Sequence, residues 1–108
     1  MAAEMECLVL VKGRYTYSGG KYLKLPKPIK ICGQGIGETI LDGFGLLIQG
    51  SKSNGSVVIE DLSIQGGKGS GLYANDGMDL IVRRCKVEKC QFGVVAYKTH
   101  ISCDDVQV

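Results

Sequence analysis

Carboxylates, thiols and one imidazole are the groups in this chain that could carry acid–base, nucleophilic or metal chemistry, and their spacing supports little of it. Asn75-Asp76-Gly77-Met78-Asp79 is the only acidic cluster beside an expected sheet edge. Paired carboxylates are what glycosidic cleavage demands, but Asn-Asp-Gly is also a common turn sequence, and a turn is the expectation here. His100 is the one histidine and has no partner acid beside it. The five cysteines (Cys7, Cys32, Cys85, Cys90, Cys103) form no Cys-x-x-Cys pair. No Cys-His-acid arrangement exists to activate a thiolate, and no cysteine–histidine spacing suits zinc. The glycine-rich GQGIG (33–37) follows a strand, yet Glu38 to Gly43 reads as strand and turn, not as the helix a dinucleotide loop requires. In GGKGSG (66–71), Lys68 is followed by Gly69, so the P-loop offset is missing. Asn54-Gly55-Ser56 fits a glycosylation sequon but is expected to be a plain Asn-Gly turn. No catalytic residue, metal site or cofactor is therefore expected.

Composition narrows the class. A chain of 108 residues makes one domain at most. Its net charge of +2, with Lys and Arg scattered, lacks the basic stripe of a nucleic-acid binder. No run approaches the roughly 20 apolar residues of a membrane span. The opening MAAEMECLVLVKGR has no basic segment followed by a long apolar one, so no signal peptide is expected. An odd number of unpaired cysteines suits a reducing compartment, and the expected location is intracellular, in the cytoplasm.

What must position any functional residue is a repeat. GLLIQG (45–50), GLYAND (71–76) and GVVAYK (93–98) align without gaps, and behind them VVIEDLSI (57–64), LIVRRCKV (80–87) and ISCDDVQV (101–108) form a second column. Fixed-period self-similarity at 22 to 26 residues is the signature of a solenoid whose coils bury their apolar faces only by stacking. Apolar residues alternate as in strands. In the first column Leu46, Ile48, Leu72, Ala74, Val94 and Ala96 share the inward parity. In the second column Val57, Ile59, Leu80, Val82, Ile101 and Cys103 do. After a charged two-residue step the inward set resumes with Leu62, Ile64, Cys85, Val87, Val106 and Val108.

The steps themselves, Glu60-Asp61, Arg83-Arg84 and Asp104-Asp105, alternate in sign along the stack and are expected outside, about 4.8 Å apart. Such cross-strand pairs contribute about 0.2–1 kcal/mol each, unless full solvation leaves them worth little. Leu23 and Leu25 extend the first column backwards and Ile29 and Ile31 the second, with GQGIGET (33–39) as an insertion. The expected organisation is a single domain over 1–108, with an N-terminal cap at 1–20, coils at 21–44, 45–70 and 71–92, and an incomplete coil at 93–108. The strand pattern runs on to Val108. Either the chain is a fragment of a longer solenoid, or the open coil, with Val106 and Val108, associates with another molecule.

The outward parity of the first column supplies the candidate binding residues. Leu47, Tyr73 and Val95 stack in one row and Gln49, Asn75 and Tyr97 in the next, with Lys98 beside them. Exposed apolar and aromatic residues in a row can dock a sugar ring or a protein. Good strand formers covered by an adjoining segment would give the same pattern.

The run KPIKICGQGIGETILDG (27–43), followed by GLLIQG and VVIEDLSIQGG, resembles the first coils of right-handed parallel β-helix proteins, the pectin-lyase-like superfamily. There a strand, a Gly-x-Gly turn and a T-I-L-D-G element commonly open the helix, and LVLVKGRYTYSGGKYLKL is similar to the strand and Gly-x-Tyr turn that begin such domains. The resemblance covers nearly the whole chain. It implies an all-β fold: a right-handed single-stranded parallel β-helix of about four coils with an N-terminal cap and an open C-terminal end. It does not choose a chemistry, since the family holds polysaccharide lyases, hydrolases, epimerases, phage tailspikes and non-catalytic scaffold repeats. The family's hydrolase pattern of further paired acids and a Gly-His-Gly is missing, and Arg83 and Arg84 belong to a different column from Asp76 and Asp79. The expected function is a non-enzymatic scaffold or interaction module that presents a parallel sheet face to a protein or glycan, with no nucleic acid or membrane as partner. The alternative is the N-terminal part of a carbohydrate-active β-helix enzyme whose catalytic coils lie elsewhere.

Overall fold

The computed structural model describes residues 6–50, 55–75, 77–90 and 92–108. Among these there is no helix, and eleven strands follow one another: β1 (Glu6–Val9), β2 (Gly13–Tyr15), β3 (Tyr22–Leu25), β4 (Ile29–Cys32), β5 (Thr39–Asp42), β6 (Gly45–Gln49), β7 (Ser56–Gln65), β8 (Ser70–Asn75), β9 (Asp79–Glu88), β10 (Phe92–Tyr97) and β11 (Ile101–Gln107). All pair in parallel with the strand one coil away. The result is a parallel β-solenoid of about four turns. One sheet is formed by β3, β6, β8 and β10, and a bent sheet by the remaining strands, with β7 and β9 at its centre.

The two columns of the sequence are these two sheets, and the register between them is the alignment of the repeats. Leu46 pairs with Leu72, and Leu72 with Val94. Ile59 pairs with Val82, and Val82 with Cys103. The inward residues of the middle coils are sealed: Ile48, Ile59, Leu62, Ile64, Leu72, Leu80 and Val82 have no exposed surface. Each such side chain contributes roughly 1.5–3 kcal/mol by leaving water. The last coil keeps the parity but lacks a covering neighbour, so Cys103 and Val108 are exposed and Val94, Ile101 and Val106 only half-buried. Phe44 and Met78 fill the corners of the stack and are also buried.

The charged steps are the bends of the long strands. Asp61, Arg84 and Asp105 take left-handed backbone angles, with φ of 60°, 51° and 54°. In β7 and β9 the strand continues through the bend. In the coil before, Gly33 to Glu38 is inserted at the bend, so β4 and β5 are two halves of one bent rung. The loop hooks onto the next coil: Gly33 N–H donates to the Glu60 carbonyl at 2.9 Å and Gly35 N–H to the Asp61 carbonyl at 2.8 Å. Thr39, fully buried, accepts from Gln34 N–H at 2.9 Å.

Residues 6–15 cover the first coil as a further parallel rung. β1 lies on β4 and β2 on β5, so the bent sheet is one rung taller than its partner. The aligned glycines that open each first-column strand have a steric cause. A Cβ on Gly71 would collide with Val87 Cγ1, one on Gly93 with Val108 Cγ1, and one on Gly45 with the Ser70 carbonyl oxygen. The expected turn at Asp76, the sequon at Asn54 and the start of the chain at 1–5 lie outside the described residues.

Candidate binding face

Sheet register fixes the candidate rows. Leu47, Tyr73 and Val95 are consecutive Cα partners, and so are Gln49, Asn75 and Tyr97. Lys24 precedes Leu47 in the first row. Leu47, Tyr73 and Val95 are half-buried, whereas Tyr97 is 53% exposed with the Lys98 ammonium 5.4 Å from its ring centre. Asn75 Oδ1 is buried and finds no partner among the described residues.

Two residues absent from those rows shape the surface more than most that are in them. The Tyr22 and Tyr73 rings meet edge to face with centroids 6.1 Å apart, the geometry aromatic quadrupoles favour. Ser70 N–H donates to Tyr22 Oη at 2.8 Å, which holds the ring across Gly69 and Ser70. Phe92, 57% exposed, closes the far side. Together with Lys21 and Val95 these side chains line an open hollow of about 380 Å³. Of the expected residues, Tyr73 and Val95 line it; Leu47, Gln49, Asn75, Tyr97 and Lys98 do not. Tyr22 was legible in principle, since it lies two residues before Lys24 at the same parity. Phe92 was not, because nothing in the repeat announces that the position occupied by Phe44 and Ser70 in earlier coils turns outward in the last.

The hollow can hold a flat or weakly polar group between rings, with one ammonium at its rim. It offers no acid–base pair. Among the described residues no three His, Cys, Asp or Glu side chains gather as metal ligands.

The strongest electrostatics lie on the other sheet, at the bends. Glu60 points outward yet is only 7% exposed, because Lys30 (3.2 Å), Arg84 (3.4 Å) and Arg83 (3.8 Å) close over it. Arg84 also binds Asp61 through two hydrogen bonds of 2.7 and 3.1 Å. The steps were expected simply outside; the cations of the neighbouring coils shield Glu60. Burial raises the Glu60 carboxyl, but hydrogen bonds from the Cys32 thiol and Lys30 and the charge of Arg84 outweigh it and hold the group below its usual range. The Arg84 guanidinium does the same for Asp61. Burial and the hydrogen bond to Glu60 push the Cys32 thiol up to about 11, and burial pushes Cys85 to about 11, so both remain unreactive thiols.

A carboxyl depressed in the folded state takes up protons less readily than in the unfolded chain. Its stabilisation is present above its ordinary value and is lost as pH falls through the depressed one. Thermal stability is therefore expected to hold down to about pH 5 and to decline below the ordinary values of 4.5 for Glu60 and 3.8 for Asp61. Glu60→Gln is expected to cost about 1.5–3 kcal/mol at neutral pH and to flatten that acid limb. Melting curves at a series of pH values check both; an acid limb of unchanged steepness in the variant rejects Glu60 as its source.

No protein-family model, no curated protein and no solved structure matches this chain.

Proposed function

We propose that this solenoid is a non-enzymatic interaction module whose four-stranded face takes a protein or glycan partner in the hollow between Tyr22, Tyr73 and Phe92. The observation that carries the reading is the aromatic hollow itself, with its Tyr22–Tyr73 wall held by an edge-to-face contact and a backbone hydrogen bond. The Tyr22 and Tyr73 rings, already held against each other and by Ser70 N–H, lose little freedom on binding, which favours affinity. The absence of any carboxylate among the described residues of the two rows speaks for binding over glycosidic catalysis. Kinship with the pectin-lyase-like β-helices belongs to the same proposal and rests on the Gly-x-Gly turn, the T-I-L-D-G element and the parallel coils. An intracellular setting is also proposed, supported by the five free thiols.

Two-dimensional NMR of the labelled chain, titrated with neutral and uronic-acid oligosaccharides and with a displayed peptide library, tests the face. Shifts are expected at Tyr22, Tyr73, Phe92 and Val95. Tyr73→Ala is expected to weaken binding of whichever probe shifts them by about tenfold or more, equivalent to about 1.4 kcal/mol, while the fold is retained. Unchanged affinity in a folded Tyr73→Ala protein, or shifts confined to the bent sheet, would reject this face.

A further inference from the structure

The charges of this molecule are sorted between its two sheets. Every Asp and Glu among the described residues sits in a strand of the bent sheet or in the 33–38 loop inserted at its bend. The ion pairs among the described residues lie there too, and engage Lys12, Arg14, Lys30, Arg83, Arg84 and Lys86. The four-stranded face has the opposite balance. Lys24 stands in β3 on the outward row of Leu47, Tyr73 and Val95. Lys21 immediately precedes that strand, Lys68 lies in the turn before β8, and Lys98 directly follows β10. All of these lysines are exposed, and none has an ion-pair partner among the described residues. Asp76, next in the chain after Asn75, lies outside those residues. Lys21 and Lys68 share a second hollow of about 370 Å³ with Tyr17 and Ser18, and Lys21 lines the aromatic hollow as well, so the two adjoin.

We infer, resting on the binding role proposed above, that the partner of this face is a protein segment with an aromatic side chain flanked by carboxylates. The ring enters the hollow between Tyr22, Tyr73 and Phe92, and the carboxylates meet Lys21 and Lys68 at its rim. Charge selects the flanks, because uncompensated cations of one sign draw anionic groups to a surface. An apolar anchor inside a polar rim is also how protein interfaces are built.

The lining decides between a side chain and a sugar ring. A hydroxyl-rich ring needs hydrogen-bond partners around its edge, and each one missing is costly once water has left. In this hollow the Tyr22 hydroxyl already accepts from Ser70 N–H, Ser70 itself is buried, and Gly69 and Val95 bring no polar side chain. Gln49 and Asn75, the amides of the face, do not line it. An aromatic side chain asks for no such partners and can meet the Tyr22 and Tyr73 rings edge-on or offset. Exposed rim pairs are screened and worth little singly. Their part is to choose an acidic segment and to speed its arrival.

NMR titration of the full chain tests the occupant. One probe is a pool of short peptides, each with one phenylalanine, tyrosine or tryptophan between glutamates; the other is a matched pool with lysines in place of the glutamates. The acidic pool is expected to shift Lys21, Tyr22, Tyr73 and Phe92, and the basic pool to leave them in place. Affinity for the tightest acidic peptide is expected to fall severalfold as ionic strength rises. Lys21→Glu with Lys68→Glu is expected to weaken it about tenfold. Lys12→Glu with Arg14→Glu makes the same change in net charge on the bent sheet and is expected to matter less than about threefold. Circular dichroism checks the sheet signal of each variant, while the pools and the salt series need no variant. Equal binding of the basic pool, affinity indifferent to salt, or a folded Lys21 and Lys68 reversal that binds as the parent does would each overturn the acidic partner. So would shifts at Tyr22, Tyr73 and Phe92 from neutral or uronic-acid oligosaccharides with none from the acidic pool, a result that leaves the face a binding site. No shift at the face from any of these probes would remove the binding role and this occupant together.

Discussion

Ile59→Asp is expected to leave the chain without a cooperative unfolding transition at room temperature. Ile59 has no exposed surface and lies between Ile31 and Val82 in the central row of the stack. Losing the isoleucine alone removes about 2–5 kcal/mol, as large-to-small core changes do. The carboxylate then has to be buried without a partner, or carry a proton throughout, at a further cost of several kcal/mol. A small domain has only about 5–15 kcal/mol in total. The control is Ile81→Asp, on the outward parity beside Val58 and only half-buried, for which a loss of about 1 kcal/mol is expected. Far-ultraviolet circular dichroism during heating distinguishes the two. If Ile59→Asp melts within a few degrees of the parent while Ile81→Asp does not, the inward and outward faces have been exchanged.

That prediction needs only the parity of the strands, which is why it could be framed from the sequence. Alternation and repeat length together fix which residues share a row, and the pairs Leu47 with Tyr73 and Glu60 with Arg83 follow once the glycines are aligned. Three features escape such reading. The shielding of Glu60 needs Lys30, a residue from the coil before the first charged step, to reach across. The aromatic hollow depends on Tyr22 binding the backbone of Ser70, 48 positions away, through a hydroxyl whose direction no periodicity encodes. Met78 lies beside a sequence that reads only as a turn, yet its side chain fills a corner against Gly50. Rows are a one-dimensional property of the chain. Corners and side-chain reach are not.

Gly33→Ala should be nearly as damaging as a core substitution, although it adds a single methyl in a loop. Gly33 does not take a left-handed φ, so alanine is compatible with its backbone, and the penalty has to come from space. A Cβ there would collide with the Asp61 carbonyl oxygen and come within 2.8 Å of Thr39 Cβ and 2.9 Å of Leu62 Cβ. None of these can give way cheaply. The Asp61 carbonyl accepts from Gly35 N–H at 2.8 Å at a bend already held in the left-handed region, and both Thr39 and Leu62 are fully buried. Relief requires lifting the 33–38 loop off the second sheet column, which also strips the hydrogen bond from Gly33 N–H to the Glu60 carbonyl. The expected cost is about 3 kcal/mol, or a fall in Tm on the order of 15 °C. Gly37→Ala in the same loop provides the contrast. Its Cβ would enter open space, and only the φ of +79° opposes it, a penalty of about 1 kcal/mol. Should Gly37→Ala prove the more damaging of the two, backbone conformation and not contact with the bend would be what holds the loop, and the seating of β4 and β5 on β7 would need another explanation.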